Sequence, residues 1–404
     1  MSDNSTEPSW RKELASLLTR SASSVDDFAD TQIRRLRKRF GRSGRPAIQP
    51  YNGYATADTV HLHGRVLTNP LLDARLRDDR WWHDLAATIQ RFASDEVPGV
   101  TVLARMGNAT GHTVSDAEGY FRVTLARDEI GGELPFWSEA ALCLADHLHK
   151  PTIESATQCN VMTAPERARF ALISDVDDTI MHTGATSLGT MAKLTFFANA
   201  RTRAPLPGIA SWYEALQHVG SCGDPNLSPE CERTNPIFYV SSSPWNLYDL
   251  LADFIEINAI PDGPILLRDL GFEEDKFFKN GHDHKLAKAR RLLRQFPGLP
   301  FVLSGDSGQE DARLYAAAAE EFGSQIKAIF IRDIDPLSDS THDEEVVRYM
   351  RQAGAAGVPM FAIGDSVEAA RYCVELDLLP PSCLEEIKEA TDRDEHRLSG
   401  PLTP

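Results

Sequence analysis

The residues best placed to do chemistry lie in one short stretch, Phe170 to Thr183, where an apolar run gives way to Asp175, Asp177 and Asp178 within four positions. A core is not built that way. Phe170 to Ile173 reads as a buried strand, which sets Asp175 and Asp177 at its carboxy end, where α/β proteins keep their reactive groups. Like charges so close are costly unless a cation or a shared proton relieves them. Mg²⁺ suits such a pair, because it takes hard oxygen ligands and leaves positions for water or a phosphate oxygen. The chemistry this spacing points to is metal-assisted phosphoryl transfer.

Later segments offer what that chemistry needs. Pro236 to Val240 is a second apolar run and ends in Ser241, Ser242 and Ser243, whose hydroxyls and backbone N–H groups can hold phosphate oxygens. Lys285 opens an amphipathic helix, Leu286 to Gln295, and so falls near the same edge of the sheet. The strand Phe301 to Leu303 leads into Ser304-Gly305-Asp306, with Asp311 about one helical turn on. This supplies the second half of a metal site. Phe361 to Asp365 repeats the Gly-Asp-Ser pattern, but five residues past Asp365 stands Ala370, where five past Asp306 stands Asp311. The metal role therefore goes to Asp306. With Gly263 to Leu267 and Ile326 to Ile331 as further strands, the alternation argues for a mostly parallel sheet with helices on both faces, over 166–376.

Upstream, 51–165 changes to period two: Val60, Leu62 and Val66 alternate with His61, His63 and Arg65, and Phe121, Val123 and Leu125 repeat the habit. Asp116-Ala-Glu-Gly119 is a turn signal. These features predict a small antiparallel β-sandwich-like domain with a helical insert, Leu72 to Ser94, that binds or positions rather than catalyses. His61/His63 and His147/His149 have a spacing that can hold a metal on a strand face, but no third ligand is evident and solvent-facing histidines are the simpler expectation.

Residues 1–50 read as a basic helical leader and linker. Arg34, Arg35, Arg37, Lys38 and Arg39 form a positive cluster that no acidic residue interrupts, either a solvated helix end or a contact with anionic lipid. The formal net charge of −17 argues against nucleic acid as a general partner. No apolar run is long enough to cross a bilayer, so the expected address is the cytoplasm, with peripheral membrane contact through the basic cluster. Six cysteines without Cys-x-x-Cys spacing fit a reducing compartment; Cys222 and Cys231 bracket a loop and are expected reduced. The charged tail, 377–404, is expected to fray from Glu385 onward.

Taken in order, Asp175-x-Asp177-x-Thr179, Ser241, Lys285 and Gly305-Asp306 with Asp311 resemble the haloacid-dehalogenase superfamily of aspartate-nucleophile phosphatases. Ile173-Ser-Asp-Val-Asp-Asp-Thr-Ile, Tyr239-Val-Ser-Ser-Ser-Pro-Trp, Leu266-Leu-Arg-Asp and Val302-Leu-Ser-Gly-Asp-Ser are similar to the App1 family of phosphatidate phosphatases. The resemblance reaches upstream to Trp81-Trp82 and Glu96-Val-Pro-Gly99. It implies a Rossmannoid catalytic sheet and a Mg²⁺-dependent hydrolysis of phosphatidate to diacylglycerol and phosphate. Asp175 would be the nucleophile and Asp177 the acid and base. Mg²⁺ would sit on Asp175, the Asp177 main-chain carbonyl and Asp306, with Asp311 orienting a water or Lys285. Ser241, Ser242 and Lys285 would hold the phosphoryl oxygens, while Thr179 and Gly305 support the site. Two alternatives stay open: a soluble phosphomonoester or phosphoprotein as substrate, and a non-catalytic membrane- or partner-binding role.

Overall fold

The computed structural model describes residues 46–68, 96–145, 156–181, 205–219, 235–268, 283–308, 310–334 and 341–399. Outside them lie the basic cluster Arg34 to Arg39, the insert Leu72 to Ser94, His147 and His149, and the loop holding Cys222 and Cys231. The period-two segments form strands β1 (Pro46–Ala55), β2 (Thr59–Thr68), β3 (Thr101–Met106), β4 (Ala109–Val114), β5 (Tyr120–Ala126), β6 (Trp137–Leu144) and β7 (Thr157–Thr163). They make one sheet in the order β4-β3-β6-β7-β1-β2-β5, antiparallel except where β1 meets β7. Its inner face carries Val60, Leu62, Val102, Phe121, Val123, Leu125 and Val161. Glycine at 111 lets β4 fold over β5, since a Cβ there would stand 2.8 Å from Leu125 and 3.1 Å from Val123. The sandwich-like core is therefore enclosed by a single curled sheet rather than by two. The turn at Asp116 forms as its sequence suggests, the carboxylate accepting from the Glu118 and Tyr120 amides.

The second sheet consists of β8 (Ala171–Asp175), β9 (Ile237–Pro244), β10 (Ile265–Arg268), β11 (Phe301–Asp306), β12 (Ile326–Arg332) and β13 (Met360–Ile363). All neighbours are parallel, in the order β10-β9-β8-β11-β12-β13. Strands buried on both faces must be apolar throughout, and here alternate residues feed two cores. Leu172, Tyr239, Val302 and Phe330 pack against α1 (Ile209–Gln217), α2 (Tyr248–Ile257), α6 (Ser366–Glu375) and α7 (Cys383–Ser399). Ile173, Val240, Leu303 and Ile329 pack against α3 (Asp283–Gln295), α4 (Asp311–Phe322) and α5 (Thr341–Ala355). From central β8 the chain first adds strands on one side, then returns to add β11 to β13 on the other. The carboxy ends of β8 and β11 thus flank a switch point, where a doubly wound sheet opens a crevice for ligands.

Three expectations need correction. The last segment does not fray from Glu385: α7 runs to Ser399, because Cys383, Ile387, Ala390 and Thr391 form a buried stripe at helical spacing and Asp394 accepts from the Gly208 amide. The chain is ordered as β1 from Pro46, inside what reads as a linker; two prolines and a glycine mask its strand pattern. Cys383 is disulfide-bonded, with its partner outside the described residues, whereas Cys143, Cys159 and Cys373 are free thiols.

The two layers meet along a packed seam. Tyr51 stacks on Trp245 and Tyr248 at ring distances of 5.1 and 4.0 Å, and the Asn52 amide donates to the Tyr248 hydroxyl at 2.7 Å. Tyr54 donates to Gln295 Oε1 at 2.9 Å. His61 and His63 lie in this seam, half-buried and buried, rather than facing solvent. Replacing Tyr51 by Ala is expected to lower stability by about 3–5 kcal/mol in urea unfolding; a loss under ~1 kcal/mol would show that the seam contributes little.

Candidate active site

Each predicted group arrives at the switch point from a different element. β8 ends at Asp175, which is fully buried, and the chain then turns through Asp178, whose φ of 57° lies in the left-handed region that non-glycine residues seldom adopt. That turn is held by Asp178 N donating to Met181 O at 2.9 Å and Ile180 N donating to Val176 O at 3.1 Å. It folds Thr179 back, so that its hydroxyl donates to Asp175 Oδ2 at 3.4 Å. Thr179 accordingly supports the acid.

The first turn of α3 sends Lys285 into the site. Its Nζ lies 2.6 Å from Asp175 Oδ1 and 3.0 Å from Asp311 Oδ1, with all three side chains buried. Asp311 begins α4, directly after Glu310 in the left-handed region, and its second oxygen accepts from the Asp306 amide at 3.3 Å. One carboxylate thus fixes both the lysine and the end of β11. Gly305 is what permits this: a Cβ there would stand 2.6 Å from Asp311 Oδ2 and 2.9 Å from the Tyr315 ring. Asp306 accepts from the Gly308 amide at 2.6 Å through Oδ1, while Oδ2 is buried with no hydrogen-bond partner among the described residues.

Carboxylate oxygens of Asp175, Asp306 and Asp311 lie within 4.8 Å of one another. Three hard oxygen donors, one of them otherwise unpartnered, facing a single lysine are a fitting donor set for a divalent cation. Asp177 contributes no carboxylate to this group. Its Oδ2 accepts instead from Ser241 Oγ at 3.1 Å and Ser243 Oγ at 3.4 Å. Ser242, out of phase on the strand, points to the other face, and its hydroxyl has no hydrogen-bond partner among the described residues. Asp365, the second Gly-Asp-Ser aspartate, caps α6 by accepting from Glu368 N at 2.7 Å.

Two contributors take roles that the sequence did not assign. Ser243 was named only with its neighbours as a phosphate donor, yet residues two apart on a strand share a face, so it joins Ser241 on Asp177. Tyr213 was not named: its hydroxyl reaches from α1 to lie 2.7 Å from Ser174 Oγ and donates to Ser304 Oγ at 3.1 Å, bridging β8 and β11 just below the acids. Ser174 and Ser304 are register partners, so this bridge fixes the relative height of Asp175 and Asp306.

Burial pushes the Asp175 carboxyl well above the usual range; Lys285 pulls it back down, while Asp311, Asp306 and Asp177 add to the rise. Burial, then Asp311, raises Asp306 as well. Burial alone would pull the Lys285 ammonium down, but Asp175, Asp311 and Asp306 outweigh it and hold the lysine charged.

The class these features define is an α/β domain with an acid-and-lysine centre at the carboxy edge of a doubly wound sheet. Residues 170–333 match the family model described as "Phosphatidate phosphatase APP1, catalytic domain". A curated relative, phosphatidate phosphatase APP1 of Saccharomyces cerevisiae, is 34% identical over 182 residues, 44% of this chain and 28% of that protein. An uncharacterised protein of Schizosaccharomyces pombe is 25% identical over 267 residues, 61% and 40% respectively. The chain therefore spans less than half the length of these curated relatives. Among solved structures, a carbohydrate acetylesterase from Xanthomonas citri aligns at 9% identity and a TM-score of 0.28, over 87% of this chain and 75% of that one, too distant to carry an argument.

The raised Asp306 carboxyl has a consequence for stability. Because its folded value lies above the ordinary 3.8, its contribution is fully present below that value and is lost as pH rises through the raised one. Without divalent cation, Asp306→Asn should therefore be more stable than the parent at pH 8, by about 1–3 kcal/mol, and the advantage should vanish near pH 4. Thermal unfolding in EDTA across that range checks it; a variant less stable at pH 8 would contradict it.

Proposed function

We propose that this chain is a phosphatidate phosphatase, hydrolysing phosphatidate to diacylglycerol and phosphate by way of a phosphoryl group carried on Asp175, as in the haloacid-dehalogenase superfamily. The observation that carries the reading is the Asp175–Lys285 pair at 2.6 Å, with Asp306 and Asp311 beside it, inside a segment that matches an App1 catalytic domain. The name of the yeast relative supports the lipid substrate.

Asp175 attacks phosphorus through a carboxylate oxygen, and the bond from phosphorus to the glyceryl oxygen breaks. Asp177 gives its proton to that leaving oxygen, held for the task by Ser241 and Ser243. Asp177 then takes a proton from water, whose oxygen attacks phosphorus and frees Asp175 and inorganic phosphate. Lys285 opposes the burial that favours a protonated Asp175 and lends charge to the phosphoryl oxygens, with Ser241 as a hydroxyl donor. Asp175, Asp306 and the Asp177 main-chain carbonyl would hold Mg²⁺, with Asp311 fixing Lys285. When bound, Mg²⁺ supplies the positive charge that four neighbouring carboxylates and one lysine lack.

No helix among the described residues is long and apolar enough to cross a membrane, and in this reading the lipid is met at the membrane surface. Arg34, Arg35, Arg37, Lys38 and Arg39 give it a basic contact for an anionic cytoplasmic leaflet. Phosphate release from phosphatidate in mixed micelles tests the proposal, with Mg²⁺ or EDTA and beside a panel of soluble phosphomonoesters. Asp175→Asn is expected to reduce release by at least about 10³-fold, and EDTA to abolish it. Release that ignores both would sink the mechanism; release confined to soluble esters would discard the lipid.

A further inference from the structure

A second cluster of ionisable groups lies outside the acid site, with the opposite charge. β2 turns His61 and His63 toward the catalytic layer, β5 sets Arg122 beside His63 in register, and α3 brings Arg291 to the same seam. The groups that act electrostatically on His63 are Arg122, Arg291 and His61, all basic, in a chain of net charge −17. Tyr54 and Trp245 wall the His63 ring at 6.3 and 6.2 Å.

Two of these groups carry buried polar atoms without a partner among the described residues. His63 is only 7% exposed, and neither ring nitrogen has a hydrogen-bond partner among the described residues. The Arg291 side chain hydrogen-bonds the Tyr54 hydroxyl, but its buried Nε has no hydrogen-bond partner, and no carboxylate pairs with its guanidinium among the described residues. Buried polar groups are nearly always paired. The Arg291 guanidinium beside His63 disfavours a metal cation as the missing partner. Water can accept one hydrogen bond but gives Arg291 no counter-charge, whereas an oxyanion does both and matches the donor fork of arginine.

We infer that the seam between His63 and Arg291 binds a compact tetrahedral oxyanion, a phosphate or phosphomonoester group, at a site distinct from the Lys285 centre. Exposed Arg122 marks its entrance. Arg291 follows Lys285 by six residues on α3, roughly 9 Å at the helical rise, so the anion and the catalytic lysine are held by one rigid element. Burial, with Arg122, Arg291 and His61, keeps the His63 imidazole well below its ordinary range and hence neutral until an anion arrives. Binding then brings a proton with it, which makes both ring nitrogens donors.

Calorimetric titration of the full chain with sodium sulfate and with orthophosphate, against sodium chloride at equal ionic strength, tests the site. Arg291→Gln and His63→Gln should each weaken sulfate binding at least tenfold, Arg291→Lys should do so by less, and Ser241→Ala should leave the seam site unchanged. Sulfate keeps its charge between pH 8 and 6, so tighter binding at pH 6 reports uptake by His63, which faces His61, Arg122, Arg291 and Tyr54. Glycerol 3-phosphate binding as tightly as orthophosphate would assign the site to a headgroup; orthophosphate binding alone would assign it to the free ion. Affinities within twofold of the parent in Arg291→Gln, shown folded by its unfolding midpoint, would overturn the inference, as would loss of all sulfate binding in Ser241→Ala. Should His63→Gln not fold, the half-exposed Arg291 decides the matter.

Discussion

One buried ammonium among buried carboxylates is the constraint on which the catalytic edge depends. Lys285 touches Asp175 and Asp311, while Asp306 stands close by and Asp177 follows two residues after Asp175. A single positive charge does not neutralise them, and burying charge is tolerated only where partners are fixed in place. The rest of the sheet supplies that fixity. β8 and β11 run in parallel register, Tyr213 ties Ser174 to Ser304, and Asp311 uses one oxygen for the lysine and the other for the Asp306 amide. The remaining deficit of positive charge makes the cluster a fitting donor set for a divalent cation, as the proposed chemistry requires.

The same lysine explains why the N-terminal sheet is packed where it is. α3 carries Lys285 in its first turn and Gln295 in its last, and Gln295 is held by the Tyr54 hydroxyl and lies 3.0 Å from His61. The aromatic stack of Tyr51, Trp245 and Tyr248 secures the segment just beyond Ser241 to Ser243. Both catalytic arms that do not come from the central strands are thus braced by the β layer. The charge asymmetry follows the same geography, acidic at the switch point and basic along the seam.

What could be read from the sequence was what depends on local pattern. Unalternated apolar runs marked β8, β9, β11 and β12, and the acids at their ends followed from the position of a strand edge. The choice of Asp306 over Asp365 rested on the presence of Asp311 five residues on, and the structure gives the reason: Asp365 is a helix cap. Contacts that arise only when distant segments meet were invisible. Tyr213 looks like a core aromatic until its hydroxyl is seen against two serines, and His61 and His63 look solvent-facing until the second layer covers them. The helix α7 was missed because nine acids and bases hide a four-residue buried stripe, and β1 because proline and glycine weaken any strand signal.

The most direct test of this account asks whether Asp175 itself carries the phosphoryl group. Protein mixed with phosphatidate labelled in its phosphate, quenched in acid within one turnover and digested, should yield label on the peptide containing Asp175, and chasing with unlabelled substrate should remove it. A burst of free phosphate with no label on that peptide at any time would contradict the account, because it would leave the Asp175–Lys285 pair without the role that organises the site.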